Sequence, residues 1–189
     1  MADTPAKFPY ADELPAEVKD RGNDVFAKLA AADAELAGIE ADRAALRQRA
    51  VSTAVGEKSQ QLTERSIRML RAKAKSHEAI IAWLPAYADG LRAMKDKRGA
   101  DLEAVRAKVK ADLVSIGYVD APIEHGVRGT IRPGWIMAHP KFIEAQERFG
   151  SVETMQVQSV VRNMAESHTK AIDAANVELT AIQERILQN

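Results

Sequence analysis

Metal or acid–base chemistry in this 189-residue chain would first be sought at its four histidines. Two of them, His125 and His139, flank the hairpin-like centre of the one stretch that does not read as helix, GYVDAPIEHGVRGTIRPGWIMAHP at 117–140. Glu124, Arg128 and Arg132 stand close by, so a metal or phosphate site can be drawn there. The spacing argues against it. No HxxxH or HxxE pairing sets two ligands on one helix face, and two loop histidines fixed only by sequence proximity impose no ligand geometry. His77 and His168 sit within helical patterns, His168 directly on an apolar seam. Both read as core imidazoles that need a hydrogen-bond partner rather than as ligands.

Other chemistry has less to work with. There is no GxxxxGK[ST], GxGxxG or GxSxG, and with no cysteine there is no thiolate nucleophile, disulfide frame or cysteine zinc site. Serines and threonines are scattered without a recognisable base. Carboxylates lie along helix faces, often three or four residues from a Lys or Arg, as on solvated coiled coils. The sequence therefore points away from an enzyme, and it assigns no catalytic, cofactor-binding or metal-binding residue.

Charge balances overall, with 27 acids against 27 Lys plus Arg, so no net field drives the chain onto nucleic acid or an anionic membrane. The distribution is uneven. Residues 1–42 hold 10 acids and 4 bases, and residues 43–75 hold 9 bases and 2 acids. Within the basic 58–75 segment, Arg65, Arg68, Arg71 and Lys75 fall mostly on the side away from Leu62 and Met69. Such a stripe suits a phosphate backbone. It equally suits pairing with the acidic first segment.

The elements that must carry these residues are helices. Pro5, Pro9 and Pro15 make 1–14 an extended arm whose sizeable hooks are Phe8 and Tyr10. A single helical domain spans 15–189. Its first helix covers about 16–50, with Gly22 leaving open a later start at Asp24. Val25, Leu29, Ala32, Leu36, Ile39, Arg43, Leu46 and Ala50 form an alanine-thinned heptad seam. Residues 51–58, with Gly56, read as a turn. A second long helix runs over 59–116, kinked or broken near Pro85. Tyr87, Leu91, Met94, Arg98, Leu102, Val105, Val109, Leu113 and Ile116 follow an eleven-residue repeat along it. A third long helix covers 151–188, with a seam from Val157 through His168 to Ile186. The fold class is mainly α: an elongated helical bundle or coiled coil.

Between the long helices, Gly117 has the place of a C-cap glycine, and the insert 117–139 reads as a short β-hairpin. Arg132-Pro133-Gly134-Trp135 puts Pro then Gly at the centre of a type II turn, flanked by strand formers such as Val127, Thr130, Ile131 and Ile136. A short helix follows over 140–149.

Narrow seams bury little within one chain, so the expected function is a structural, scaffolding or adaptor subunit. It would self-associate through coiled-coil seams as a homo-oligomer and meet partner proteins through the hairpin tip and the arm. The expected contact residues are Phe8, Tyr10, Arg128, Ile131, Arg132 and Trp135. One alternative is a nucleic-acid-associated helical protein using the 58–75 stripe, and another is an amphipathic coat on a lipid or hydrophobic surface. No window approaches the ~18 apolar residues of a membrane span, and no signal peptide is visible, which leaves the cytoplasm as the default compartment.

Overall fold

The computed structural model describes residues 8–47, 53–123, 127–153 and 155–187. It is mainly helical. A short 3-10 helix at Ala11–Glu13 precedes α1 (Ala16–Arg47), α2 (Thr53–Ser115), α3 (Pro133–Met137), α4 (Pro140–Glu153) and α5 (Val157–Leu187). Among the described residues no helix is long and apolar enough to cross a membrane. The chain divides into two compact units, residues 1–90 with 158–189, and residues 91–157, and α2 contributes to both.

The first unit is a three-helix bundle whose register can be read from its cross-links. Trp83 Nε1 donates to the Val18 carbonyl at 3.1 Å, Lys73 pairs with Asp33 at 2.7 Å and Arg65 pairs with Glu35, so α2 descends along α1. Phe26 of α1 faces His168 of α5 with ring centroids 6.0 Å apart, and Arg43 and Ile182 share a cleft further along, so α5 runs parallel to α1. The seam expected from the sequence is the buried face. Val25, Ala32 and Ile39 of α1 pack inward with Leu62, Leu70, Ala74 and Ile80 of α2 and Ala175 and Ile182 of α5 all buried. In this unit one chain supplies all three walls of the core, so closing these seams does not require a second molecule.

α1 opens at Ala16, as expected, while other boundaries differ from expectation. α1 runs straight through Gly22, which is buried because Phe8 and Trp83 press against the backbone there. α2 starts at Thr53 and absorbs most of the expected 51–58 turn, Gly56 included; Ala50 and residues 51–52 lie outside the described residues. It also continues through Pro85, an exposed position where the missing amide costs one hydrogen bond in an otherwise long ladder. Finally, α4 continues through Gly150 and Ser151 to Glu153, and the last helix starts at Val157 rather than 151.

The second unit is built from the last turns of α2, the insert, α3 and α4. Val109, Ile131, Ile136 and Phe142 form its buried centre, with Val105 and Leu113 packed against them. Arg106 lies over the Phe142 ring at 5.5 Å and Arg98 over Phe149 at 4.6 Å, while Lys141 reaches back to Asp112 at 2.7 Å, so α4 runs antiparallel to α2. The eleven-residue pattern marks the inner face of this stretch of α2: Leu91, Met94, Leu102 and Val109 are buried.

The hairpin is not there. No strand occurs among the described residues, and a single parallel bridge pairs Val119 with Thr130 through Val119 N–H to the Gly129 carbonyl and Ile131 N–H to the Val119 carbonyl, each 2.9 Å. Arg132 is extended at φ −93°, ψ 143°, and Pro133 opens α3. Proline favours the first helical position as strongly as the second position of a turn, because its fixed φ suits both and its missing amide would be unbonded in either. What decides is burial: as a helix, 133–137 turns Ile136 onto Val109 and Phe142 beside Ile131.

Candidate functional site

The insert is launched by a tightly specified helix end. Gly117 adopts φ +101°, its N–H bonds the Val114 carbonyl at 3.0 Å, and Tyr118 N–H bonds the Leu113 carbonyl at 3.2 Å. These are the two bonds of a Schellman cap, so Gly117 does end α2. Lys110 holds Asp120 at 2.6 Å, and the Val119 bridge returns the chain to Ile131. The Asp112 carboxyl is held below the usual carboxylate range by its hydrogen bond to Lys141 and by that ammonium's charge, with Lys108 and His139 adding to it and slight desolvation opposing.

This frame holds Ile131 and Ile136 inside while turning Trp135 out, 40 % exposed, with its ring meeting Tyr118 edge-on at a centroid distance of 5.0 Å. Exposed apolar side chains are concentrated in this segment of the chain. Of the twelve large apolar side chains exposed among the described residues, nine fall between Val114 and Ile143, including Ile116 at 72 %, Ile123 and Met137. Scattered exposed apolar residues are normal, whereas here they gather in one segment of the chain. Arg128 and Arg132, also expected as contacts, are exposed on the same segment. Ile131 is buried and acts as an anchor beneath the surface rather than as part of it.

The expected arm contacts lie elsewhere. Phe8 is 4 % exposed, stacked on Phe26 at 5.5 Å and edge-on to Trp83 at 5.0 Å and Tyr87 at 5.8 Å. The Tyr87 hydroxyl donates to the Pro9 carbonyl at 2.9 Å, and burial pushes that phenol up to about 12, with Tyr10 adding to the shift. Tyr10 turns the chain at φ 59°. Phe8 is thus turned inward as part of a strap fastened over the first unit; residues 1–7 lie outside the described residues. The signal in the sequence was Gly22, a glycine inside a helix where an aromatic ring has to approach.

The basic stripe is partly neutralised within the unit. Arg65 pairs with Glu35 of α1, and Arg68 shares a surface hollow with Asp42, Lys58 and Glu64. Arg71 and Lys75 are exposed.

Two histidines that the sequence keeps 91 residues apart meet in the first unit. His77 Nδ1 and His168 Nδ1 are 2.8 Å apart, so one ring donates and the other accepts, and the accepting ring must be neutral for that bond to exist. Burial lowers the pKa of each. For His77 the Lys73 charge lowers it further and Asp33 opposes, and for His168 the second lowering influence is His77 itself. His77 Nε2 is buried without a hydrogen-bond partner. His139 acts locally, its Nδ1 accepting from Lys141 N–H at 3.3 Å and its carbonyl receiving the Phe142 and Ile143 amides, which caps α4. His125 and Glu124 lie outside the described residues. Among the described residues no group of three or more His, Cys, Asp or Glu is arranged to hold a metal ion.

No family model matches the chain, and no curated protein or solved structure matches it.

Proposed function

We propose that this protein is a structural or adaptor subunit that meets a partner protein through the apolar tip of its second unit. The observation that carries the reading is the concentration of exposed apolar side chains between Val114 and Ile143, presented by a frame whose own anchors, Ile131 and Ile136, are buried. Interface centres are rich in aromatic residues and Met, and polar and Arg side chains form their rims. Trp135, Tyr118 and Met137 supply such a centre, with Arg128 and Arg132 at its edge. Self-association remains within this reading, with the tip rather than the seams as the contact. The nucleic-acid reading has less support because Arg65 is already engaged by Glu35.

The test places a photo-crosslinking amino acid at position 135 in the full chain, expressed in the cells that make it, with position 177, an exposed valine on α5, as control. A discrete adduct from 135 and none from 177 is expected. An adduct of twice the chain's mass identifies self-association, and any other discrete mass identifies a second protein. Equal smears from both positions, or no adduct at 135, would overturn the reading.

A further inference from the structure

The histidine pair sits where the first unit can hold it neutral but not fully charged. His77 of α2 is 6 % exposed, and among the described residues its Nε2 has no hydrogen-bond partner. Charging His77 puts a proton on that nitrogen as well as on Nδ1, and a buried cationic N–H without an acceptor is relieved when water reaches it. Charging both rings removes the bond between them, because two protonated Nδ1 atoms leave no acceptor and set like charges 2.8 Å apart. The surroundings do not compensate. Asp33 of α1 is the carboxylate that acts on His77, but it is bound to Lys73 of α2 at 2.7 Å, and Lys73 itself repels an imidazolium. Toward His168, α1 turns the Phe26 ring, at a centroid distance of 6.0 Å. One turn to either side, α2 carries Lys73 and Ile81 and α5 carries Met164 and Ile172, while Glu78, Glu166 and Lys170 are exposed. The α5 helix is also shallowly seated here. None of residues 158–174 is fully buried, and its buried anchors within this unit, Ala175 and Ile182, lie beyond them.

We propose that His77 and His168 form a proton-operated latch that holds the N-terminal half of α5 against α1 and α2 and releases it when both rings are charged. Burial keeps both rings below the ordinary imidazole value, so the latch is closed above about pH 6.5 and opens as the pH falls below that. Opening brings His77 Nε2 to water. It leaves α1 and α2 together, since Trp83 bonds Val18, Tyr87 bonds Pro9 and Phe8 packs on Trp83 without help from the pair. The chain has no cysteine, so nitroxide labels can be placed singly. Exposed Ala27→Cys on α1 with exposed Ser167→Cys on α5 follows the latch, and Ala27→Cys with exposed Ala72→Cys on α2 follows the contact that should stay. Double electron–electron resonance on the full chain from pH 7.5 to 4.5 should show the α1–α5 distance gaining a longer, broader population in acid, reversed at pH 7.5, with the α1–α2 distance unchanged. In His168→Gln and His168→Phe backgrounds the α1–α5 distance should lose its response to acid, whether the helix stays docked or stands open at every pH. An α1–α5 distance unmoved in acid would overturn the latch, and so would its lengthening together with the α1–α2 distance, which is global unfolding. Acid opening retained in either histidine variant would assign it to other groups and overturn the role of the pair.

Discussion

Gly22→Ala tests the strap and the aromatic seat together, because a Cβ there meets Phe8 Cζ and Trp83 Cζ2 at 2.7 Å and Phe8 Cε1 at 2.8 Å. Real Cβ contacts do not approach so closely, so one ring must leave. Trp83 is pinned: it is 1 % exposed and its Nε1 is bonded to the Val18 carbonyl. Phe8 sits on the short segment outside the helices and is the ring that yields. Releasing a buried phenylalanine costs about 1.5–3 kcal/mol. Against this, alanine gains about 1 kcal/mol over glycine within a helix. The net is a loss of about 0.5–2 kcal/mol, or a few degrees in Tm for a chain of this size. Gly38→Ala on the same helix has nothing within 4 Å of its Cβ, so it keeps only the gain and should raise Tm by a few degrees. Thermal unfolding followed at 222 nm, with near-ultraviolet circular dichroism for the aromatic cluster, separates the two. In a Phe8→Ala background the cost of Gly22→Ala should largely vanish, since the cycle removes the group it collides with. If Gly22→Ala stabilised the protein as Gly38→Ala does, with the aromatic signal intact, the strap would not be seated as described.

Three further outcomes follow from the same geometry. The folded pKa values of His77 and His168 are lowered from an unfolded value near 6.5, so the unfolded chain binds more protons in that window. Their stabilisation is therefore complete above about pH 6.5 and is lost as pH falls through the folded pKa values, at a slope of at most about 1.4 kcal/mol per pH unit for each ring; denaturant midpoints from pH 7.5 to 4.5 should fall, and His168→Phe should flatten that fall. Trp135→Ala should leave denaturant stability within about 1 kcal/mol while abolishing the tip contact, read with the crosslinker moved to exposed position 137, whereas Ile131→Ala, at a buried anchor, should cost about 2–4 kcal/mol. Gly117→Ala forces a side chain into the left-handed region at φ +101° and should cost about 1–2 kcal/mol, read as a lower midpoint for the second unit.

The helices were legible because periodic burial is a local property. The 4 and 3 spacing from Val25 to Ile39 and the eleven-residue pattern from Leu91 to Val109 name the faces that the folded chain buries. Gly117 was legible for the same reason, since a Schellman cap is written within six residues. The insert was misread where two local rules overlap. Pro133-Gly134 suits a type II turn and a helix start alike, and only the distant Val109 and Phe142, which take Ile131 and Ile136, settle the choice. The histidine pair and the seat of Phe8 have no local signature, because each joins residues from separate elements. Only the unexplained Gly22 hinted at the second.

The two units manage their surfaces in opposite ways, and that contrast gives the tip its functional weight. In the first unit the acids of α1 meet the bases of α2, the aromatic residues of strap and helices stack on one another, and the tyrosine and tryptophan polar atoms are hydrogen-bonded. In the second, five residues of α3 turn Ile136 inward and leave Trp135 and Met137 outside. A connector between helices needs only the buried anchor. Exposed tryptophan, tyrosine and methionine add nothing to that role, and an exposed apolar cluster is itself an association hazard. Their cost in water is offset when another surface covers them, which is the argument for the proposed tip contact.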